Sequence, residues 1–244
     1  SLKNTEVLYN TYWVRFNHKW FNHQQAVTNT FKLFYAAKEA GVRRIVHVSI
    51  TNADSKSNLD YFRGKGEIEE YLKELEIEFT IVRPAVLFGG KDILINNIAW
   101  SLRHLPLVGM PGRGKYHLQP IHVFDFAKQL ADAGEKVGKN IEVALGPERY
   151  SYVDLLNMIK KELKLKTVII PMPNRLAWLG AQILGYFLND VMLTWPEVLG
   201  LRQETLWEDQ EPTGKVHLRE WVKKHKDTLG NEYHNELDRR RKKG

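Results

Sequence analysis

Apolar and polar positions fall into a repeating order of strand-like and helix-like patterns. Glu6-Val7-Leu8-Tyr9-Asn10 reads as a short strand, followed by a loop from Thr11 to Phe16. From His18 to Ala40, Phe21, Val27, Phe31, Phe34 and Tyr35 fit one face of a long helix that stops at Gly41. Ile45-Val46-His47-Val48 is a continuous run rich in β-branched residues, the pattern of a buried parallel strand, and a polar turn from Ser49 to Asn58 closes it. Tyr61 to Leu75 carries Ile68, Tyr71, Leu72 and Leu75 at helical spacing, and Phe79-Thr80-Ile81-Val82 is a second strand that ends at Arg83-Pro84. Strand, helix and strand in this order make one right-handed crossover.

The same reading predicts a helix over Asp92 to His104, a strand over Leu118 to Val123, and a helix opened by Asp125 as its N-cap. A strand follows at Ile141 to Leu145, then a helix capped by Ser151-x-x-Asp154 and running to Leu163, and a strand at Val168 to Ile170. Everything beyond Pro173 is expected to be helical, with Leu176 to Leu188 as a packed helix and Trp178, Trp195, Trp207 and Trp221 lining a core or a cleft. The expected organisation is a domain over residues 1–150 and a mostly helical portion over 151–244, packed on it. Gly109 to Lys115 imitates a phosphate loop, but Tyr116 stands where a Ser or Thr must bind magnesium and a strand follows. A glycine-rich turn explains it.

Tyr61 and Lys65 are four residues apart, so they lie on one helix face. A tyrosine with an ordinary pKa of about 10 exchanges protons poorly near neutrality, and an ammonium one turn away favours its phenolate. Ser49 or Thr51, at the end of the preceding strand, would orient a carbonyl or hydroxyl of a substrate. By spacing alone the pair also fits a surface tyrosine and lysine of an ordinary helix.

The surroundings carry more. Ala37-x-x-Ala40-Gly41-Val42-x-Arg44-Ile45-Val46-His47-Val48-Ser49, Tyr61-x-x-x-Lys65-x-x-x-Glu69, Thr80-Ile81-Val82-Arg83-Pro84 and Phe88-Gly89 resemble the short-chain dehydrogenase/reductase superfamily. Within it they are similar to the extended and atypical branch, with its NAD-dependent epimerase/dehydratase and NmrA-like proteins. The resemblance implies a Rossmann-like doubly wound parallel sheet and NAD or NADP as cofactor. It implies Tyr61 as acid/base, Lys65 on the nicotinamide ribose, and Thr51 and Ser49 as the strand-end hydroxyls. Asn10, Thr11, Tyr12, Arg83 and Pro84 would lie along the cofactor, with Asn29 on the helix nearby. The family's Gly-x-x-Gly-x-x-Gly loop is absent, because the first glycine is Gly41. The chain is therefore expected to lack the first half of the nucleotide fold, and as it stands to bind the cofactor poorly.

Composition narrows the classes. With 244 residues, 43% of them hydrophobic, a sizeable core is available, and the lack of cysteine excludes disulfides and thiolate metal sites. No secretory signal or spanning segment is visible, so a cytoplasmic location is expected. Of the net charge of +7, +5 falls between Lys215 and Gly244, ending in Arg239-Arg240-Arg241-Lys242-Lys243. This tail reads as a solvated segment or as an attachment to a membrane surface or a complex; nothing supports specific nucleic-acid binding. Two functions remain. One is an oxidoreductase or epimerase acting on a small carbonyl- or hydroxyl-bearing molecule. The other is a non-catalytic NAD(P)H-binding regulatory or assembly protein, and Leu94-Ile95-Asn96-Asn97-Ile98-Ala99-Trp100 is similar to the NmrA-like regulators and to an accessory subunit of respiratory complex I.

Overall fold

A computed structural model describes residues 2–241; Ser1 and the Lys242-Lys243 end of the basic run lie outside the described residues. In chain order come β1 (Val7–Asn10), α1 (His23–Glu39), β2 (Arg44–Val48), α2 (Asp60–Glu74), β3 (Glu78–Pro84) and β4 (Val86–Phe88). Next are α3 (Leu94–His104), β5 (Leu107–Pro111), β6 (His117–Leu118), β7 (Pro120–His122), α4 (Val123–Gly134) and β8 (Lys139–Ala144). The chain continues with β9 (Tyr150–Ser151), α5 (Tyr152–Glu162), β10 (Val168–Met172), α6 (Asn174–Leu188), α7 (Trp195–Arg202), α8 (Leu218–Lys224) and α9 (Glu236–Arg241).

Two compact units share these elements. The first comprises the chain up to Ala85 together with Phe124–Leu145 and Glu208–Gly214. Its centre is an all-parallel sheet in the order β1-β2-β3-β8, the Rossmann-like α/β architecture expected. Parallel strands are covered on their faces, and Val27, Phe34 and Ala37 of α1 pack with Ile68 and Leu72 of α2 over Ile45 and Ile81. Arg44 in β2 is fully buried. Its guanidinium donates to the carbonyls of Ala133 and Gly138, both at 3.0 Å, and to Thr80 Oγ1 at 2.9 Å. With a carboxylate oxygen of Glu78 at 3.1 Å, this buried charge is paired as the low-dielectric interior demands.

α1 starts five residues later than its apolar pattern predicts. His18 and Phe21 exchange backbone hydrogen bonds in a tight reversal, and the Asn22 side chain then accepts from the Gln25 amide at 2.8 Å as the true cap. Its end falls where expected, with Gly41 at φ +75.

The second unit comprises Val86–Val123, Gly146–Trp207 and the chain from Lys215 onward. Three two-stranded pairings, β4-β7, β5-β10 and β6-β9, join α3, α5 and α8 around Phe88, Ile95, Leu102, Leu118, Leu155, Ile159 and Val222. Ser151 caps α5 as expected, accepting from Asp154 at 3.2 Å. The single strand expected at Leu118 to Val123 is two short ones, β6 and β7, and Asp125 lies inside the first turn of α4 rather than at its cap. Residues 203–217 are not helical: Glu204 takes a left-handed φ of 58 after α7, and Pro212 and Gly214 oppose a further helix. The packed helix expected at Leu176 to Leu188 forms as α6, but only Ala177 and Gly185 of it are buried.

Candidate functional site

β1, β2 and β3 are parallel, so their carboxyl ends lie side by side, and ligands of open α/β sheets bind at such ends. The pairing continues past β2. Ser49 N donates to Val82 O at 2.8 Å and Thr51 N to Pro84 O at 3.0 Å, which fixes both hydroxyl residues, buried, beside the end of β3. α2 then presents Tyr61, Lys65 and Glu69 at successive turns of one face. Two glycines flank Lys65. A Cβ at Gly64 would meet the Trp13 ring at 2.8 Å, and one at Gly66 would meet the backbone of Ser55 at 2.1 Å. The sequence Gly64-Lys65-Gly66 therefore lets the loop after β1 and the loop before α2 both close upon the lysine.

Lys65 is 2% exposed. Its ammonium donates to the Val48 carbonyl at 2.6 Å and lies 4.6 Å from the centre of the Trp13 ring. Burial pushes its pKa down to about 7, opposed by the charge of Glu69. Trp13 stacks on His23 at 5.5 Å and meets the Tyr61 ring edge-on at 5.7 Å; His23 is also edge-on to Tyr61, at 5.8 Å. Tyr61 thus stands edge-on against the stacked Trp13–His23 pair.

A carboxylate organises the other half of the site. Ser49 Oγ donates to Glu69 Oε1 at 2.6 Å, and the Arg83 fork grips both Glu69 oxygens, with Nε at 2.9 Å from Oε1. Glu69 is almost wholly buried, and its hydrogen bond is the leading cause that raises the Arg83 pKa. At the end of β1, Asn10 donates to His47 Nδ1 at 3.0 Å, while its side-chain oxygen accepts from the Tyr12 amide at 3.2 Å. Burial and then the Lys65 charge hold His47 well below its ordinary pKa, so the ring is neutral at pH 7. Thr11 and Tyr12 are exposed, and Asn29 donates to the Tyr12 hydroxyl at 3.4 Å.

The structure therefore brings Tyr61, Lys65, Ser49, Thr51, Arg83, Pro84 and Asn10 to one end of the sheet, with Thr11 and Tyr12 in the loop beyond β1. It adds three residues that sequence reasoning passed over as participants. Trp13 sits in a loop without periodicity and gave no signal. Glu69 had one, since it continues the i, i+4 series of Tyr61 and Lys65. His47 was masked by its place in an apolar strand. Two buried donors of the site have hydrogen-bonding capacity left over. Lys65 uses one of its three N–H groups for Val48, and the buried Trp13 Nε1 has no acceptor among the described residues. Both suit a ligand rich in hydroxyl oxygens, such as a ribose.

Comparison with known proteins extends this picture. The model of the NmrA-like family matches residues 5–176. A rat protein, NADH dehydrogenase [ubiquinone] 1 alpha subcomplex subunit 9, mitochondrial, is 33% identical over 152 residues, which are 59% of this chain and 39% of the rat protein. The mitochondrial NADH-ubiquinone oxidoreductase 40 kDa subunit of Neurospora crassa is 26% identical over 179 residues, 72% of this chain and 47% of that one. The chain thus spans less than half the length of either. Among solved structures, the NADPH-dependent quinone oxidoreductase QOR2 of Escherichia coli, complexed with NADPH, superposes with a TM-score of 0.72 at 18% identity, covering 91% of this chain and 76% of that one. The Citrobacter triphenylmethane reductase complexed with NADP(H) gives 0.69 at 13%, covering 91% and 77%. These likenesses show the fold. The expected cytoplasmic location is corrected at this point, because both curated relatives are designated mitochondrial.

Proposed function

Because the chain belongs to the NmrA-like family, we propose that it is a mitochondrial NAD(P)H-binding protein which keeps its nucleotide as a structural or regulatory ligand of a larger assembly, without turnover. The location and the assembly follow the respiratory-complex relatives; the chemistry follows the site. One observation carries the reading: the groups a proton relay would use are bonded to one another. Ser49 spends its proton on Glu69, Arg83 neutralises that carboxylate, and the Lys65 ammonium is fastened to the Val48 carbonyl beneath Trp13. Lys65 and Trp13 Nε1 would hold the ribose hydroxyls, and Asn10 shapes the loop beyond β1 that carries Thr11 and Tyr12. When bound, the dinucleotide would supply a redox-active nicotinamide ring; the chain's own residues orient it and exclude water around Lys65.

The second reading is an oxidoreductase with Tyr61 as acid/base. A lysine titrating near 7 one helical turn from Tyr61 favours it. Two measurements on the natural protein separate the readings. Calorimetric titration with NADPH and NADH is expected to show binding that Lys65→Met weakens at least tenfold, and the stronger ligand decides the cofactor. NADPH oxidation with a panel of quinones and aldehydes is expected to stay at background, before and after Tyr61→Phe. Turnover that Tyr61→Phe abolishes would overturn the non-catalytic reading in favour of the enzyme.

A further inference from the structure

α6 is built inside out. Its two fully buried positions are small, Ala177 and Gly185, with Trp178, Leu184 and Leu188 half-buried beside them, and a Cβ on Gly185 would meet the Asp190 carbonyl oxygen at 2.6 Å. Five of its large apolar residues face outward. Leu176, Leu179 and Ile183 are about half exposed, and Tyr186 and Phe187 are 81% and 75% exposed. A single exposed leucine says little, but five such residues between Leu176 and Phe187 form a continuous apolar stripe about 17 Å long on this helix of 15 residues. From Leu176 to Asn189 the sequence contains no charged residue at all, and Arg175 marks the start of the stripe.

The far end of the stripe adjoins a basic element. Asp190, just beyond α6, accepts from the Glu236 and Leu237 amides at 3.0 and 3.2 Å, so it holds the first turn of α9. Asn235 donates to the Leu188 carbonyl at 2.9 Å, and Arg239 reaches the Lys91 carbonyl. The segment from Glu236 to Lys243 carries five Lys/Arg against two carboxylates. Tyr186 and Phe187 thus lie at the end of the helix that meets α9, in which Arg240 is paired with Glu236 at 2.6 Å; Lys242 and Lys243 lie outside the described residues.

We propose that the outer face of α6 lies on an anionic lipid bilayer, with Leu176, Leu179, Ile183, Tyr186 and Phe187 in the headgroup–acyl boundary and the basic α9 segment on the lipid phosphates. Three features choose this occupant. An apolar stripe without charge, ending in aromatics and flanked by cations, is the pattern of a helix lying in the interface plane. No helix among the described residues is long and apolar enough to cross a membrane, so α6 rests on the surface and does not span it. A second copy is a poor occupant, because pairing two α6 stripes about a two-fold axis sets the Arg175 end of each against the basic end of the other.

Co-sedimentation with vesicles tests this. The protein is expected to pellet with phosphatidylcholine vesicles containing about one third phosphatidylglycerol, and several-fold less with phosphatidylcholine alone. Salt at about 0.5 M should release part of it. The triple substitution Ile183→Ser, Tyr186→Ser, Phe187→Ser should weaken binding at least tenfold, with an unchanged circular dichroism melt, because these side chains are exposed. Absence of pelleting with either vesicle, or equal pelleting of the triple variant, overturns the proposal. So does a concentration-dependent dimer in sedimentation velocity that the triple substitution abolishes.

Discussion

α2 and α6 are both 15 residues long, yet they use the helix in opposite senses. α2 turns two charges inward: Lys65 and Glu69 are among its most buried residues. α6 turns five large apolar residues outward and fully buries only an alanine and a glycine. Amphipathicity normally sends charge to water and hydrocarbon to the core, so each helix departs from the rule in its own direction. Each departure has a local cost that folding alone does not require, and in each case the other side of the anomaly is a surface for something else. In α2 it is a polar site at the strand ends; in α6 it is a face suited to lipid.

The largest expected effect comes from breaking the carboxylate in α2. Glu69→Ala leaves the Arg83 guanidinium half-buried without its partner and the Ser49 hydroxyl without an acceptor. Removing one member of such a buried pair costs about 3–5 kcal/mol. Urea unfolding followed by circular dichroism measures it. A loss below about 1 kcal/mol would mean that the network is solvated and that α2 is an ordinary surface helix.

Lys65→Met should act with the opposite sign. The folded state holds this ammonium at a pKa of about 7, whereas an unfolded lysine titrates near 10.4. Between those values the unfolded chain binds more protons, so stability rises with pH from about 7 to about 10 and the penalty is complete below 7. The buried His47, also held low, extends the loss as pH falls below its ordinary value of about 6.5. The wild-type melting temperature should therefore climb from pH 6 to pH 9. Lys65→Met should flatten the rise above pH 7 and stabilise the protein at pH 6 by on the order of 3–5 kcal/mol, while removing nucleotide affinity. A variant less stable than wild type at pH 6 would show that the ammonium is a net stabiliser. Ser49→Ala is a smaller step on the same network, about 1 kcal/mol, since Arg83 still holds Glu69.

How much of this was legible beforehand follows from what periodicity encodes. The β2-α2-β3 crossover was readable because a β-branched run, a 3.6-residue stripe and a proline stop each have local causes. The face shared by Tyr61 and Lys65 followed from spacing. The closing of Trp13 over Lys65 did not, because a loop has no period and only the third dimension brings residue 13 to residue 65. The burial of Arg44 was not readable for a related reason: it depends on five acceptors drawn from distant segments. α6 misled in the other direction. Its composition predicted burial, but composition does not tell which face meets the protein. The hint lay in Ala177, Ala181 and Gly185, four apart, whose thin face leaves the large side chains pointing away.

The smallest expected effect closes the comparison from the α6 side. Tyr186→Ser removes a ring that is 81% exposed, so it opens no cavity and strands no buried partner. Serine costs a helix roughly 0.5 kcal/mol relative to the best formers, and tyrosine sits close to it on the same scale. The change in unfolding free energy should therefore stay within about 0.5 kcal/mol, as for surface substitutions in general. Ala177→Leu, on the opposite face of the same helix, should cost about 1–3 kcal/mol, because a buried position has no room for three more carbons. Thermal melts of the two variants side by side test whether α6 packs through its small residues. If Tyr186→Ser destabilises as much as Ala177→Leu, the tyrosine is part of a core, and the contrast with α2 disappears.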